Sequence, residues 1–251
     1  MYKILANTLF LGKNVVYVPE CHSTSSLLLE LTNKTNLPEG TIVITDNQTR
    51  GRGQRGNTWE AAPKMNLTFS ILLKPTFLLV GEQFAITQAV SLALADYLRQ
   101  RGAVPVKIKW PNDLMIGEQK VAGILIENTL AGNSIQQSVV GIGININQQA
   151  FEVPTATSLG LAMGKSFSLP HEWESLVEKL EQRYLQLKNS SKQSLEANYL
   201  EQLYRFGQRS LFEVDGRQVL GTIESVDANG RLLVAIDGET RAFALKEIRF
   251  L

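Results

Sequence analysis

The chain has 251 residues, 44% of them hydrophobic and 20% charged, enough for one sizeable core or a large domain with a small appendage. Its formal net charge of +1 excludes a general polyelectrolyte partner and leaves only a local patch for nucleic acid. The single cysteine, Cys21, excludes an intramolecular disulfide and a multi-cysteine zinc site, and no run approaches the ~20 apolar residues of a membrane span.

Residues 14–18 read as a strand, and Ser23 or Thr24 then caps an apolar segment carrying Leu27, Leu28 and Leu31. Cys21 and His22 lie at this junction. Neighbours on a strand point to opposite faces, so the pair reads as incidental rather than nucleophilic. Residues 41–45 are a β-branched strand, 46–63 a polar, glycine-rich loop, and 66–73 a strand. The clearest helix spans 82–101, with Gly102 past its end. Strands at 106–110 and 121–127 flank a turn centred on Gly117, and 139–146 is a further strand. Residues 148–165 form a loop with little periodicity.

Two more helices follow. One starts near Pro170 with Trp173, Leu176, Val177, Leu180 and Tyr184 in register, and the other stops at Gly207. Thereafter Asp215-Gly216, Asn229-Gly230 and Asp237-Gly238 mark hairpins, in a small all-β module that must close its edges as a barrel. The expected fold class is α+β, with residues 1–206 as one domain and 207–251 as the β-barrel.

Gly51-Arg52-Gly53-Gln54-Arg55-Gly56 fits G-x-G-x-x-G, but a β-like run follows it and no acid stands about twenty residues on, so the dinucleotide reading fails. What remains is a loop able to close over carboxylate and phosphate through bare backbone and arginine donors, or a solvated surface loop. Trp59 offers a face for a purine. Lys109-Trp110-Pro111-Asn112-Asp113 closes a strand, so Asp113 suits a nucleotide-bound Mg²⁺ or an Asx turn. Lys120 opens Lys120-Val121-Ala122-Gly123-Ile124-Leu125-Ile126-Glu127 as a cation for a carboxylate and then an acyl phosphate, or as a snorkelling edge lysine. Gly141-Ile142-Gly143-Ile144-Asn145 bares one strand face for close approach.

In this order the motifs resemble the biotin protein ligases over nearly the whole chain. The resemblance implies a class II aminoacyl-tRNA synthetase-like catalytic domain, a mixed β-sheet flanked by helices, and an SH3-like C-terminal barrel. It implies that biotin is activated with ATP and Mg²⁺ to biotinyl-5′-AMP and passed to a lysine of a biotin carboxyl carrier domain, that of acetyl-CoA carboxylase. By the same resemblance Ser23, Thr24, Ser25 and Gln48 contact biotin, and Gly51, Arg52, Gly53 and Gln54 order over it. Lys120 holds the reacting carboxylate. Arg55, Asn57, Trp59, Lys109, Asn112, Asp113 and Asn145 line the nucleotide, with Asp113 the metal-linked acid. Lys120, Arg52 and Asp113 are the expected catalytic residues. Gln54 and Asn57 stand where many relatives have arginine.

The Ser-Thr site begins about twenty residues in, which implies a form without a DNA-binding arm. A cytoplasmic enzyme with no DNA or membrane partner is expected, and a homodimer through the central sheet is compatible. The rival readings are a lipoate protein ligase and a non-catalytic biotin sensor.

Overall fold

Alternation along the strands decides which side of the sheet meets which helix. Val15–Cys21 (β1), Ile42–Gln48 (β2), Leu67–Leu73 (β3), Val106–Lys109 (β4), Asp113–Ile116 (β5), Gln119–Ala131 (β6) and Ser134–Ile144 (β7) form one sheet. Its order is β1-β2-β3-β7-β6-β5-β4. The structure is a computed structural model and describes Tyr2, Leu5, residues 7–189 and residues 192–251. β1 and β2 are parallel, joined by the helix Thr24–Lys34 (α1), and the other neighbouring pairs are antiparallel.

On one face Leu28 of α1 packs with Val43, Leu72 and Val139. On the other, Ile44, Phe69, Ile71, Ile124 and Ile142 join the main core beneath Phe84–Gln100 (α2) and Leu169–Asn189 (α4). Phe69 meets Trp173 of α4 edge-on, with ring centroids 5.1 Å apart, a preferred aromatic geometry. α2 is buried on nearly every side because α4 and Lys192–Gln202 (α5) pack against it.

A buried carboxylate ties the start of the chain to α4. Glu181, 5% exposed, accepts the backbone N–H groups of Leu9, Phe10 and Leu11 at 2.7, 2.8 and 2.9 Å. Glu181→Ala leaves these donors unmatched and should cost roughly 2–4 kcal/mol. The expected result is a lower denaturant midpoint with the slope unchanged; an unaltered midpoint would refute the clamp.

The C-terminal module is antiparallel: Arg209–Val214 (β8), Arg217–Val226 (β9), Leu232–Ile236 (β10), Glu239–Phe243 (β11) and Ile248–Phe250 (β12), in the order β11-β10-β9-β8-β12. Asp215-Gly216 and Asp237-Gly238 form its tight turns, all four residues at positive φ, as the twist of two-residue hairpins requires. At Asn229-Gly230 the connection is longer, and Asp227 accepts from the N–H groups of Asn229 and Arg231.

The structure amends the sequence reading in two places. The strand expected at 106–110 is β4, but a further strand, β5, not expected from the sequence, stands between the Pro111 turn and Gly117; it has four residues, too few to show a period. Within the expected loop at 148–165 lies a short helix, Leu159–Met163 (α3), capped by Ser158 and ended by Gly164 at φ +64. No helix among the described residues is long and apolar enough to cross a membrane.

Candidate functional site

A β-bulge aims the key lysine. Met115 pairs with Lys120 and Leu114 with Ala122, so Val121 is an extra residue in β6. In a regular strand Lys120 and Gly123 would face opposite ways. The bulge brings Lys120 onto the face of Asp113, Gly123 and, through the β4–β5 pairing, Lys109. Lys120 Nζ lies 2.6 Å from Asp113 Oδ1. Burial pushes the Lys109 ammonium below the usual lysine range, Asp113 opposing this and Arg205 and Lys120 adding to it. Among the described residues Lys109 forms no ion pair.

The same face is bare of side chains along its middle. Gly123 pairs with Gly143, Gly143 with Thr68, and Gly141 with Ser70. The Trp59 indole lies on this strip: a Cβ at Gly143 would come 2.3 Å from Trp59 Cε2. Trp59 Nε1 is buried without a hydrogen-bond partner among the described residues, and the Lys120 Nζ stands 5.7 Å from its ring centroid. A Cβ at Gly141 would come 2.4 Å from Ser25 Oγ.

At the N-terminus of α1 the polar groups are joined. Gln48 Oε1 accepts from Thr24 N at 2.8 Å and Thr24 Oγ1 at 3.2 Å. Thr24 Oγ1 and Ser25 Oγ each reach Ser70 Oγ, at 2.8 and 2.9 Å. Ser23 is the cap residue, its side chain accepting from Ser26 N. This array of buried, rotatable hydroxyls and one half-buried amide can both donate to and accept from a planar polar ligand.

These two ends share one cleft of about 280 Å³. It brings together Ser23, Thr24, Ser25, Gln48, Arg52, Gly53, Gln54, Asn57, Trp59, Lys109, Asn112, Asp113 and Lys120. Gly51 stands just behind: a Cβ there would meet Trp59 O at 2.2 Å. The expected flexible loop is a tight hairpin, with a bridge between Arg52 and Thr58 and a bond from Gly53 N to Asn57 O at 2.7 Å.

Three expected residues stand differently. Arg52 is on the cleft, but its guanidinium binds both Glu127 carboxylate oxygens, at 3.0 and 2.6 Å. The Lys120 Nζ stands over Gly123, and Glu127 lies four residues further along β6, about 13 Å of strand, so Arg52 and Lys120 line the same cleft without touching. Asn145 is buried below the cleft, donating to Thr157 O at 3.0 Å, with its own Oδ1 unpartnered among the described residues. The side chain of Arg55 lies outside the described residues.

The sequence reading missed Thr68 and Ser70, although polar residues at alternate positions of an apolar strand were a visible signal. It also missed Leu245, Ile248, Arg249 and Phe250, by which the C-terminal module lines the cleft. Trp110 Nε1 donates to Gly230 O at 2.9 Å, and the Lys109 Nζ stands 5.3 Å from the Phe250 ring, so the two sheets are docked at the site. Among the described residues no cluster of three or more His, Cys, Asp or Glu could hold a metal unaided. Asp113 is, among the described residues, the one carboxylate lining the cleft, which suits a magnesium ion bound mainly by phosphates.

A strand-edge lysine and acid, a glycine strip under a tryptophan, and a polar pocket at a helix start suit a small acid beside a nucleotide. Residues 17–145 match the biotin/lipoate A/B protein ligase family. Similar relatives include the bifunctional ligase/repressor BirA of Bacillus spizizenii, 31% identical over 179 residues that cover 69% of this chain and 54% of that protein. Another is the biotin–[acetyl-CoA-carboxylase] ligase of Mycobacterium tuberculosis, 33% identical over 208 residues, or 80% of this chain and 76% of that one. Among solved structures, the biotin protein ligase of Aquifex aeolicus in complex with biotin and ATP superposes with a TM-score of 0.78 at 24% identity, covering 95% of this chain and 100% of that chain. The chain belongs to the biotin/lipoate A/B protein ligase family. Its fold is the class II aminoacyl-tRNA synthetase-like sheet with an SH3-like C-terminal module. It spans about half the length of the Bacillus relatives.

Proposed function

We propose that this chain is a biotin–[biotin carboxyl-carrier protein] ligase acting in the cytoplasm. It joins biotin to AMP using ATP and passes the biotinyl group to a lysine of the carrier domain of acetyl-CoA carboxylase. The observation that carries this reading is the single cleft in which the Thr24–Gln48–Ser70–Ser25 array and the Lys120–Asp113 pair stand at opposite ends of the glycine strip.

Ser23, Thr24, Ser25 and Gln48 take the ureido ring, whose two N–H groups and carbonyl match hydroxyls and an amide. Lys120 exchanges Asp113 for the biotin carboxylate and brings it to the α-phosphorus. The carboxylate oxygen bonds to that phosphorus, the bond to the β-phosphate bridging oxygen breaks, and pyrophosphate leaves with the electron pair. Asp113 is then free for Mg²⁺, which would neutralise phosphate charge. Trp59 stacks the adenine, with Lys109, Asn112, Asn57 and Arg55 on the nucleotide side and Asn145 supporting the strand end. Arg52 leaves Glu127 for the acyl phosphate as Gly51, Gly53 and Gln54 close over it, keeping water from the mixed anhydride. The carrier's neutral lysine amine attacks the acyl carbon, the acyl–phosphate bond breaks, AMP leaves, and the new amide loses a proton. Residues 1–206 form the catalytic unit in this reading and 207–251 its SH3-like partner; two copies pairing across the central sheet would give a homodimer, which sedimentation would detect.

Exchange of labelled pyrophosphate into ATP should require biotin. Exchange driven by lipoate instead would assign the other branch of the family, and none with either acid would leave a binding protein.

The lowered Lys109 value predicts a pH dependence. Phosphates raise the ammonium's pKa on binding, so above its free-state value binding takes up a proton. Nucleotide affinity should therefore fall as pH rises through that value, while Lys109→Arg stays flat over the same range. Titration calorimetry in buffers of different ionisation enthalpy measures the uptake directly; no uptake at any pH would contradict the assignment.

A further inference from the structure

We infer that the pyrophosphate released in adenylation is held in, and leaves through, the groove between the central sheet and the C-terminal module, with Arg205 as its outer cationic contact. The inference rests on the proposed adenylation and adds to it an exit and a residue. The groove, about 220 Å³, is lined by Lys109, Lys120, Tyr204, Arg205, Phe250 and Glu118, and it shares Lys109, Asp113, Lys120 and Phe250 with the main cleft.

In displacement at phosphorus the attacking and leaving oxygens lie in line. The acid enters from the Ser25–Ser70 end, so the leaving group must depart on the far side of Lys120, where Asp113 and Lys109 open into this groove. Neither Lys109 nor Arg205 pairs with an acidic side chain among the described residues. The Lys109 Nζ stands 6.0 and 5.3 Å from the Tyr204 and Phe250 ring centroids, and the Arg205 guanidinium carbon 5.0 Å from that of Tyr204. One Arg205 donor is taken by Leu251 O at 2.8 Å; a guanidinium has five in a fork that suits phosphate oxygens. Two acidic side chains face the groove. Asp113 is paired with Lys120, and Glu118 accepts from the Tyr204 hydroxyl. Arg205 sits at φ +60, a conformation uncommon for a non-glycine residue, where the chain passes from α5 into the C-terminal module, and this turns its side chain into the groove wall.

The test is the reverse reaction, ATP formation from biotinyl-AMP and pyrophosphate, with wild-type activity first establishing the adenylation itself. Arg205→Gln should raise the KM for pyrophosphate roughly tenfold, the loss of one charge-assisted contact. The inhibition constant of AMP, which lacks the β- and γ-phosphates, should stay within twofold. Glu118→Gln keeps an acceptor for Tyr204 and removes a like charge, so it should lower the pyrophosphate KM. An unchanged pyrophosphate KM in the arginine variant, equal losses for AMP and pyrophosphate, or a raised KM in Glu118→Gln would each overturn the inference. A wild-type chain without adenylation would instead refute the proposed function on which it rests.

Discussion

Lys120→Ala should lower biotin-dependent ATP–pyrophosphate exchange by roughly 10²–10³-fold, the usual cost of removing one preorganised group that meets developing charge. The cause lies in the backbone. Without the extra residue Val121, the ammonium would face the apolar core with Ala122 and Ile124. With it, the ammonium stands against Asp113 and beside the Trp59 ring. Its side chain is about a third exposed, so the Asp113 ion pair contributes little to folding, and the variant should melt near the wild type. Lys120→Arg keeps the charge but not the compact head, and should recover only part of the rate. Exchange within twofold of wild type in the alanine variant would remove Lys120 from the mechanism.

The second large effect is steric and divides the cleft in two. Gly143→Ala places a methyl group where the Trp59 indole lies, so the ring must lift from the sheet. Aromatic stacking on a base is worth about 1–3 kcal/mol, so nucleotide affinity should fall roughly 10- to 100-fold, with biotin affinity nearly unchanged. Gly141→Ala should do the reverse, because its methyl group meets Ser25 Oγ in the hydroxyl array. Both positions face the cleft rather than the main core, so loss of fold is not expected. Calorimetric titration of each variant with each ligand gives four affinities. Parallel losses in all four would show that the strip does not separate two subsites.

Most of the secondary structure was legible because long elements carry clear periods: α2 shows an apolar face, and Asp-Gly pairs mark the tight turns of the barrel. β5 escaped because a four-residue strand between a proline turn and a glycine turn has no period to read. The site was legible as a set of residue types and an order, and the cleft collects nearly all of them. Its internal geometry was not. A bulge is a property of pairing between two strands, so nothing local in the run from Lys120 to Glu127 announces that Val121 is extra. The Glu127 hold on Arg52 was likewise hidden, since it joins residues 75 positions apart. So was the part played by Phe250, which depends on how the module after Gly207 docks against the central sheet.

The central claim is an acyl transfer that starts in this cleft and ends on another protein. The most direct measurement is intact mass spectrometry of a biotin-carrier domain incubated with the chain, biotin, ATP and Mg²⁺. The carrier should gain one biotinyl group on its acceptor lysine and none when ATP is withheld. A carrier that keeps its original mass while the chain binds biotin would contradict the account.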